Sequence, residues 1–138
     1  MWKARSLNRW WLVLALASTN ASAAECTKAQ AVAAENEAST LRSWTAVHGS
    51  FRSYAHCDDG AIAEGYSESV TLLLANRWNT LPSLAKLVAD DPHFEKFVTH
   101  HINDSVPKER LTKITLNARR DCPKEHRALC DRLLKAAE

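Results

Sequence analysis

Residues 60–78 read GAIAEGYSESVTLLLANRW, and they carry the best-defined apolar face in the chain. The large apolar side chains of this stretch recur at helical spacing: Ile62, Tyr66, Val70, Leu73, Leu74 and Trp78. Apolar residues three and four positions apart are typical of an amphipathic helix, whereas a half-buried strand alternates every second residue. The stretch therefore predicts a long helix with one side in the core.

Helical signals continue on both sides of this stretch. Small and apolar residues predict a helix over about 26–42 and a second over about 44–57, in which Gly49 permits a bend. Asp91 before Pro92 is typical of a helix start, with an acid at the cap and proline in the first turn. With only three glycines and four prolines in the chain, the expected fold is all-α. We expect an irregular bundle of about five to seven short helices stapled by one or two disulfides.

The N-terminal segment is predicted to be a cleaved secretory signal. Three basic residues and no acid precede an apolar run at 10–17, and small residues suited to signal peptidase occupy 21–23. A retained membrane anchor is the alternative, but a spanning helix needs ~20 apolar residues and this run is about half as long. We expect residues 1–24 to be a signal peptide and residues 25–138 to form a single helical domain. The expected location is periplasmic or secreted, with no membrane span after cleavage.

Loss of the signal changes the net charge. The full chain holds 18 Lys and Arg against 16 Asp and Glu, a formal net charge of +2. Three bases and no acids lie before residue 25, so the mature chain carries 15 bases and 16 acids, a net charge of −1. Residues 25–104 are net acidic and residues 105–138 net basic, an asymmetry that can steer a charged partner. Aromatic residues do not interleave with the bases, so no nucleic-acid partner is expected.

Four cysteines follow the signal, and an even count in an exported chain favours disulfides. They are Cys26, Cys57, Cys122 and Cys130. Three pairings are possible. The favoured one joins Cys26 to Cys57, which ties the first two helices, and Cys122 to Cys130. If a helix began at Pro123, the latter two would lie ~12 Å apart along its axis, too far for a disulfide. That pair therefore requires a loop over 124–128.

The most distinctive polar stretch is residues 56–68, where acids are concentrated. Asp58, Asp59, Glu64 and Glu68 are the candidate partner-binding residues, and Glu64 and Glu68 are four positions apart on one helix face. Paired carboxylates perform acid–base chemistry in glycoside hydrolysis. A small envelope hydrolase acting on glycan or peptidoglycan is therefore the alternative to a binding surface. Without a recognisable hydrolase motif, no catalytic residue is assigned.

The remaining polar clusters favour structural interpretations. His93, His100 and His101 share one segment, but a zinc site usually needs three or four ligands held close together. The nearby acids are explained by capping and solvation, so neither a metal nor another cofactor is expected. Cys57 follows His56, a pattern that invites a catalytic cysteine. In an oxidising compartment a paired structural cysteine is the better interpretation.

The stretch Cys57-Asp58-Asp59-Gly60-Ala61-Ile62-Ala63-Glu64-Gly65-Tyr66, in which a cysteine leads into a small-residue helix with Gly-Tyr, resembles small exported helical proteins of Gram-negative bacteria. With the size, signal and helical composition, it is loosely similar to periplasmic immunity proteins that neutralise type VI secretion amidase effectors. This resemblance implies a non-enzymatic binding protein, an inhibitor or immunity protein with a protein partner in the cell envelope. It maps no family contact residue onto this chain. A structural or stress-related envelope protein is the third hypothesis.

Overall fold

The computed structural model describes residues 24–138; apart from its last residue, the predicted signal peptide lies outside this part. Seven α-helices follow one another: α1 Lys28–Ala38, α2 Trp44–Tyr54, α3 Gly60–Asn76, α4 Leu81–Asp90, α5 Pro92–His100, α6 Lys108–Arg120 and α7 Arg127–Ala137. Short 3₁₀ turns lie at Ala55–Cys57, Trp78–Thr80 and Lys124–His126. Residues 24–138 contain no strand. The predicted all-α bundle with disulfides is confirmed.

Side chains with hydrogen-bonding oxygens set the beginnings of several helices. Thr27 caps α1, and its hydroxyl accepts a 3.2 Å hydrogen bond from the Gln30 amide. In return, the Thr27 amide donates to the Gln30 side-chain oxygen at 3.1 Å. Asp91 caps α5 by accepting hydrogen bonds from the amides of His93 and Phe94, at 3.2 and 3.3 Å. The helix start predicted at Asp91-Pro92 is therefore confirmed, and its physical reason is the satisfaction of amides that have no partner within the helix.

The N-terminal prediction differs from the structure in the length of the first helix. The first helix ends at Ala38 rather than near 42, because the Thr40 amide and hydroxyl both donate to the Glu37 carbonyl, at 2.8 and 2.9 Å. The chain then turns and Ser43 caps α2. Gly49 does not interrupt α2, which runs as one α-helix from Trp44 to Tyr54.

Helix α3 is the central element of the bundle. It packs against α1 on one side and α6 on another, and it also contacts α2. Tyr66 and Val70 on this helix are fully buried, together with Leu74 at 1% exposure. Apolar side chains are stabilised when they are removed from water, so a long apolar face needs several neighbouring helices to cover it. The predicted face of residues 60–78 is therefore packed against the surrounding helices.

The contact between α1 and α3 depends on a glycine. A Cβ added at Gly65 would lie 2.8 Å from the Ala38 Cβ and 3.0 Å from the Ser39 amide nitrogen. The two helices therefore approach more closely than any larger residue allows. Ser69, one turn later, bridges the same interface by donating to the Ala38 carbonyl and accepting from the Leu41 amide.

Both disulfides follow the favoured pairing. Cys26 joins Cys57 with Cα atoms 5.0 Å apart, and Cys122 joins Cys130 with Cα atoms 6.2 Å apart. The region between the second pair is a 3₁₀ turn at Lys124–His126 followed directly by α7, so the predicted loop is shorter than expected. Two disulfides are typical of a non-reducing, extracytoplasmic environment. No helix within residues 24–138 has the length and apolarity needed to cross a bilayer.

Candidate functional site

The four predicted partner-binding acids lie around the beginning of α3, but they divide into two kinds. Asp59 and Glu64 are exposed, and neither forms an ion pair with another described residue. Asp59 also caps α3 by accepting a 2.8 Å hydrogen bond from the Gly60 amide. Asp58 and Glu68 are already engaged by other side chains. The sequence therefore places all four acids in one region, while only two of them present a free charge.

Glu68 is held by a two-point ion pair with Arg110 on α6. The Arg110 Nη1 atom lies 2.5 Å from Glu68 Oε2, and Nη2 lies 3.3 Å from Oε1. Nη1 also donates to the Thr71 hydroxyl at 3.2 Å, and that hydroxyl donates to the Ser67 carbonyl at 2.6 Å. A bidentate arginine fixes both the position and the orientation of the carboxylate. This arrangement connects α6 to the first half of α3.

Asp58 points inward and takes part in a buried hydrogen-bonded chain. Its Oδ2 atom lies 3.0 Å from His101 Nε2, and His101 Nδ1 lies 3.0 Å from the Ser67 hydroxyl. His101 is 1% exposed and Ser67 is 5% exposed, while the Asp58 side chain is 15% exposed. We refer to Ser67, His101 and Asp58 as the polar chain. It joins the segment before α3, the middle of α3 and the C-terminal end of α5.

The donors and acceptors of the polar chain give it a direction. A carboxylate can only accept, so His101 donates its Nε2 proton to Asp58. In the neutral ring Nδ1 then has no proton and accepts from the Ser67 hydroxyl. The other carboxylate oxygen of Asp58, Oδ1, is buried and has no hydrogen-bond partner among residues 24–138.

A polar cavity of about 330 Å³ opens beside this region. It lies between the first half of α3 and the segment that leads into α6. Its lining residues are Glu64, Ser67, Glu68, Ser105, Val106, Pro107 and Arg110. The cavity therefore brings together two of the predicted acids, the serine of the polar chain and the arginine that neutralises Glu68. Its volume is at the lower end of the range for small-molecule sites.

The paired-carboxylate hydrolase hypothesis has little support in this arrangement. Both oxygens of Glu68 accept hydrogen bonds from Arg110, so this carboxyl group is already engaged on both sides. Glu64 is exposed, whereas a general acid of a glycosidase typically needs an environment that favours its neutral form. Glu64 and Glu68 therefore line the same cavity, but their surroundings do not make one of them an acid and the other a base.

The sequence analysis considered His101 among the candidate metal ligands and did not predict its hydrogen bonds to Ser67 and Asp58. His93 and His100 are exposed, whereas His101 faces the interior and bonds to Ser67 and Asp58. Within residues 24–138 no group of three or more His, Cys, Asp or Glu side chains is placed to hold a metal ion. The signal for His101 was its position at the end of an apolar helix face, in register with Phe94 and Phe97.

A second, larger groove of about 640 Å³ lies between α5 and α7. It is lined by Pro92, Glu95, Lys96, Thr99, Arg132, Lys135 and Ala136. Arg132 forms a two-point ion pair with Glu95 across it. The lining side chains are mostly exposed, and none of them is a buried polar group. This groove therefore offers fewer fixed polar groups to a ligand than the cavity beside α3.

No protein-family model, curated protein or solved structure matches the chain. The fold and the site define an all-α, disulfide-bonded protein with a polar cavity against its central helix. Any function must therefore be argued from this geometry and from the sequence.

Proposed function

We propose that the chain is an exported, periplasmic binding protein that inhibits an envelope-acting enzyme, in the manner of an immunity protein. The observation that carries this proposal is the pair of exposed carboxylates, Asp59 and Glu64, at the beginning of α3. Neither carboxylate is neutralised by a described residue. They are free to meet a basic surface.

We propose that two of the four predicted acids, Asp59 and Glu64, make the contact with the partner. Asp58 and Glu68 are already engaged within the chain, by His101 and Arg110 respectively, although the Glu68 side chain remains 43% exposed. Their proposed role is to hold the segment in shape while Asp59 and Glu64 face outward. A surface that is ordered before binding loses less conformational entropy when the complex forms.

The local scaffold supports a rigid binding surface. The Cys26–Cys57 disulfide ties the start of α1 to the residue just before Asp58. Asp59 caps the first turn of α3, and the close contact at Gly65 fixes α3 against α1. Three independent constraints therefore act within a few residues of the two free carboxylates.

The partner's chemistry follows from the sign of the charge. Carboxylates at the edge of an interface attract a basic surface and raise the rate of association, with an effect that falls as salt increases. We therefore expect an enzyme whose substrate cleft, or the rim of that cleft, carries lysine or arginine.

The experiment is affinity capture from envelope extract, identification of the captured enzyme, and titration of its activity with the purified chain. We expect stoichiometric inhibition by the wild type. The double variant Asp59→Asn/Glu64→Gln should bind about tenfold more weakly, equivalent to about 1.4 kcal/mol. Asparagine is as good a helix cap as aspartate, so the fold should be retained.

The matched control removes two exposed acids from the C-terminal half, in the double variant Glu109→Gln/Glu125→Gln. It makes the same change in net charge and should bind like the wild type. Equal weakening by both double variants would mean that only net charge matters. A captured enzyme that remains fully active at saturating chain would contradict inhibition altogether.

A further inference from the structure

The polar chain and its cavity have the parts of a covalent acyl-transfer site. A nucleophilic serine needs an adjacent base, and the base needs a third group that orients it. Ser67, His101 and Asp58 satisfy both contacts at 3.0 Å. The proton order derived above, from Ser67 to Nδ1 and from Nε2 to Asp58, is the order that general-base activation of Ser67 requires.

Access to the serine is through the polar cavity. Ser67 is one of its lining residues, with Glu64 and Glu68 on either side along α3. Because Ser67 is only 5% exposed, a reacting group must enter the 330 Å³ cavity to reach it. This requirement restricts the substrate to a small and unhindered carbonyl compound.

Arg110 lines the same cavity as Ser67 and is the cationic residue of that lining. Through Thr71 its guanidinium is linked to the carbonyl of Ser67 itself, by contacts of 3.2 and 2.6 Å. Its Nη atoms bind Glu68 and Thr71, while its Nε–H donates to none of the described residues. A cationic donor in a partly enclosed cavity is the kind of group that lowers the energy of an oxyanion.

We propose that Ser67 is a catalytic nucleophile, with His101 as general base and Asp58 as its positioning residue, and that the cavity accepts small carboxylic esters. This activity goes beyond the proposed inhibition and does not depend on it. The inhibitory surface consists of Asp59 and Glu64, neither of which belongs to the polar chain.

The reaction balances with water as the only co-reactant. Ser67 Oγ bonds to the carbonyl carbon while its proton passes to His101 Nδ1, and the oxyanion forms inside the cavity that Arg110 also lines. The ester C–O bond then breaks, and the leaving alcohol takes the proton from Nδ1. Water adds to the acyl-serine with the same base, after which the acid leaves and Ser67 regains its proton. Asp58 stays ionised throughout and holds the Nε2–H.

The direct test is covalent labelling of the purified, disulfide-bonded protein with a biotinylated fluorophosphonate, followed by intact-mass and peptide analysis. We expect one adduct per chain, located at Ser67, with fluoride as the leaving group. With p-nitrophenyl acetate we expect a burst of p-nitrophenolate close to one equivalent. Ser67→Ala should lose both signals. Ser83→Ala, which removes an exposed hydroxyl on α4 away from the cavity, should keep them.

Two further variants separate a catalytic role from a structural one. His101→Gln should slow labelling by at least about 100-fold, the lower range for general-base catalysis. Asp58→Asn nearly conserves the shape of the side chain and should also slow labelling. The test can therefore still be made with Asp58→Asn if His101→Gln does not fold. Circular dichroism of each variant checks the fold. A natively folded wild type without an adduct at Ser67, or labelling that neither variant slows, would overturn the proposal.

Discussion

Two regions of the bundle, the surroundings of α3 and the α6–α7 interface, are stabilised in different ways. Around α3 the interior contains hydrogen-bonded polar groups, and every buried polar side chain among the described residues lies on α3 or bonds to it: Ser50, Ser67, Ser69, Thr71 and His101. Between α6 and α7 the buried side chains are apolar: Ile114, Ala118, Leu129, Cys130 and Leu133. The region around α3 therefore adds directional hydrogen bonds to its apolar packing, whereas the α6–α7 interface is stabilised by packed volume.

This difference indicates where function lies. An apolar interface such as α6–α7 tolerates changes that conserve volume, whereas a buried polar network is costly unless each member has a partner. The region around α3 combines that network with the free carboxylates and the polar cavity. The C-terminal helix pair has the simpler role of completing the core.

The largest expected effect is a cavity in the C-terminal helix pair. Leu133 is 0% exposed, so Leu133→Ala should lower the free energy of unfolding by about 2–5 kcal/mol. Leu116 on α6 is 40% exposed, and Leu116→Ala should change the free energy by less than about 1 kcal/mol. Urea denaturation measures both. If the two variants are equally stable, the α6–α7 interface does not depend on packed volume.

The next effect tests the close approach of α1 and α3. Gly65→Ala places a Cβ 2.8 Å from the Ala38 Cβ and should destabilise the protein by about 1–3 kcal/mol. Gly49 has no heavy atom within 4 Å of the corresponding position. Gly49→Ala should therefore stabilise α2 by about 0.5–1 kcal/mol. Thermal unfolding should shift in opposite directions, and a stabilising Gly65→Ala would show that the two helices are not tightly packed.

A smaller effect concerns Tyr66, whose hydroxyl lies 2.8 Å from Ser50 Oγ in the core. Tyr66→Phe leaves Ser50 without this partner and should cost about 1 kcal/mol near neutral pH. Burial raises the pKa of Tyr66 above its ordinary value of 10.0. The folded protein therefore keeps this proton at a pH where the unfolded chain has lost it.

The sign of the pH dependence follows from this shift. The stability linked to Tyr66 is fully present below pH 10 and is lost as the pH rises above that value. The wild type should lose stability more steeply than Tyr66→Phe between pH 10 and about 11, the first unit above the ordinary value. Urea titrations across this range measure the slopes, and parallel slopes would contradict the burial of the hydroxyl.

The smallest effect is expected from an exposed ion pair at the C-terminal end. Arg119 and Glu138 lie 2.5 Å apart with side chains 57% and 52% exposed, so Arg119→Gln should change stability by less than about 0.5 kcal/mol. Arg110, on the α3 side, is 18% exposed and binds Glu68 and Thr71. Arg110→Gln should cost about 1 kcal/mol. Equal effects in chemical denaturation would remove the distinction between the two regions.

The parts of the fold that depend on apolar spacing could be predicted from the sequence. The face of residues 60–78, the start at Asp91-Pro92 and the favoured disulfide pairing all agree with the structure. Apolar periodicity and helix caps depend on residues that are only a few positions apart in the chain. They can therefore be recognised in the sequence itself. The extent of the first helix was less accurate, because the turn after Ala38 depends on hydrogen bonds made by Thr40.

The candidate site could be predicted only in part. The sequence places Asp58, Asp59, Glu64 and Glu68 in one segment, but it does not show that Asp58 bonds to a residue 43 positions away. Partners across such distances are set by how α3, α5 and α6 pack. Neither spacing nor composition contains that information, so the division between engaged and free acids emerges only in three dimensions.

The central claim is that Ser67 donates a hydrogen bond to His101 and that His101 donates one to Asp58. NMR of ¹⁵N-labelled protein tests this claim directly. The two ring-nitrogen shifts of His101 report its tautomer. We predict a neutral ring protonated at Nε2, with cross-peaks that change in Ser67→Ala and Asp58→Asn. A ring protonated only at Nδ1, or shifts that neither variant alters, would contradict the account.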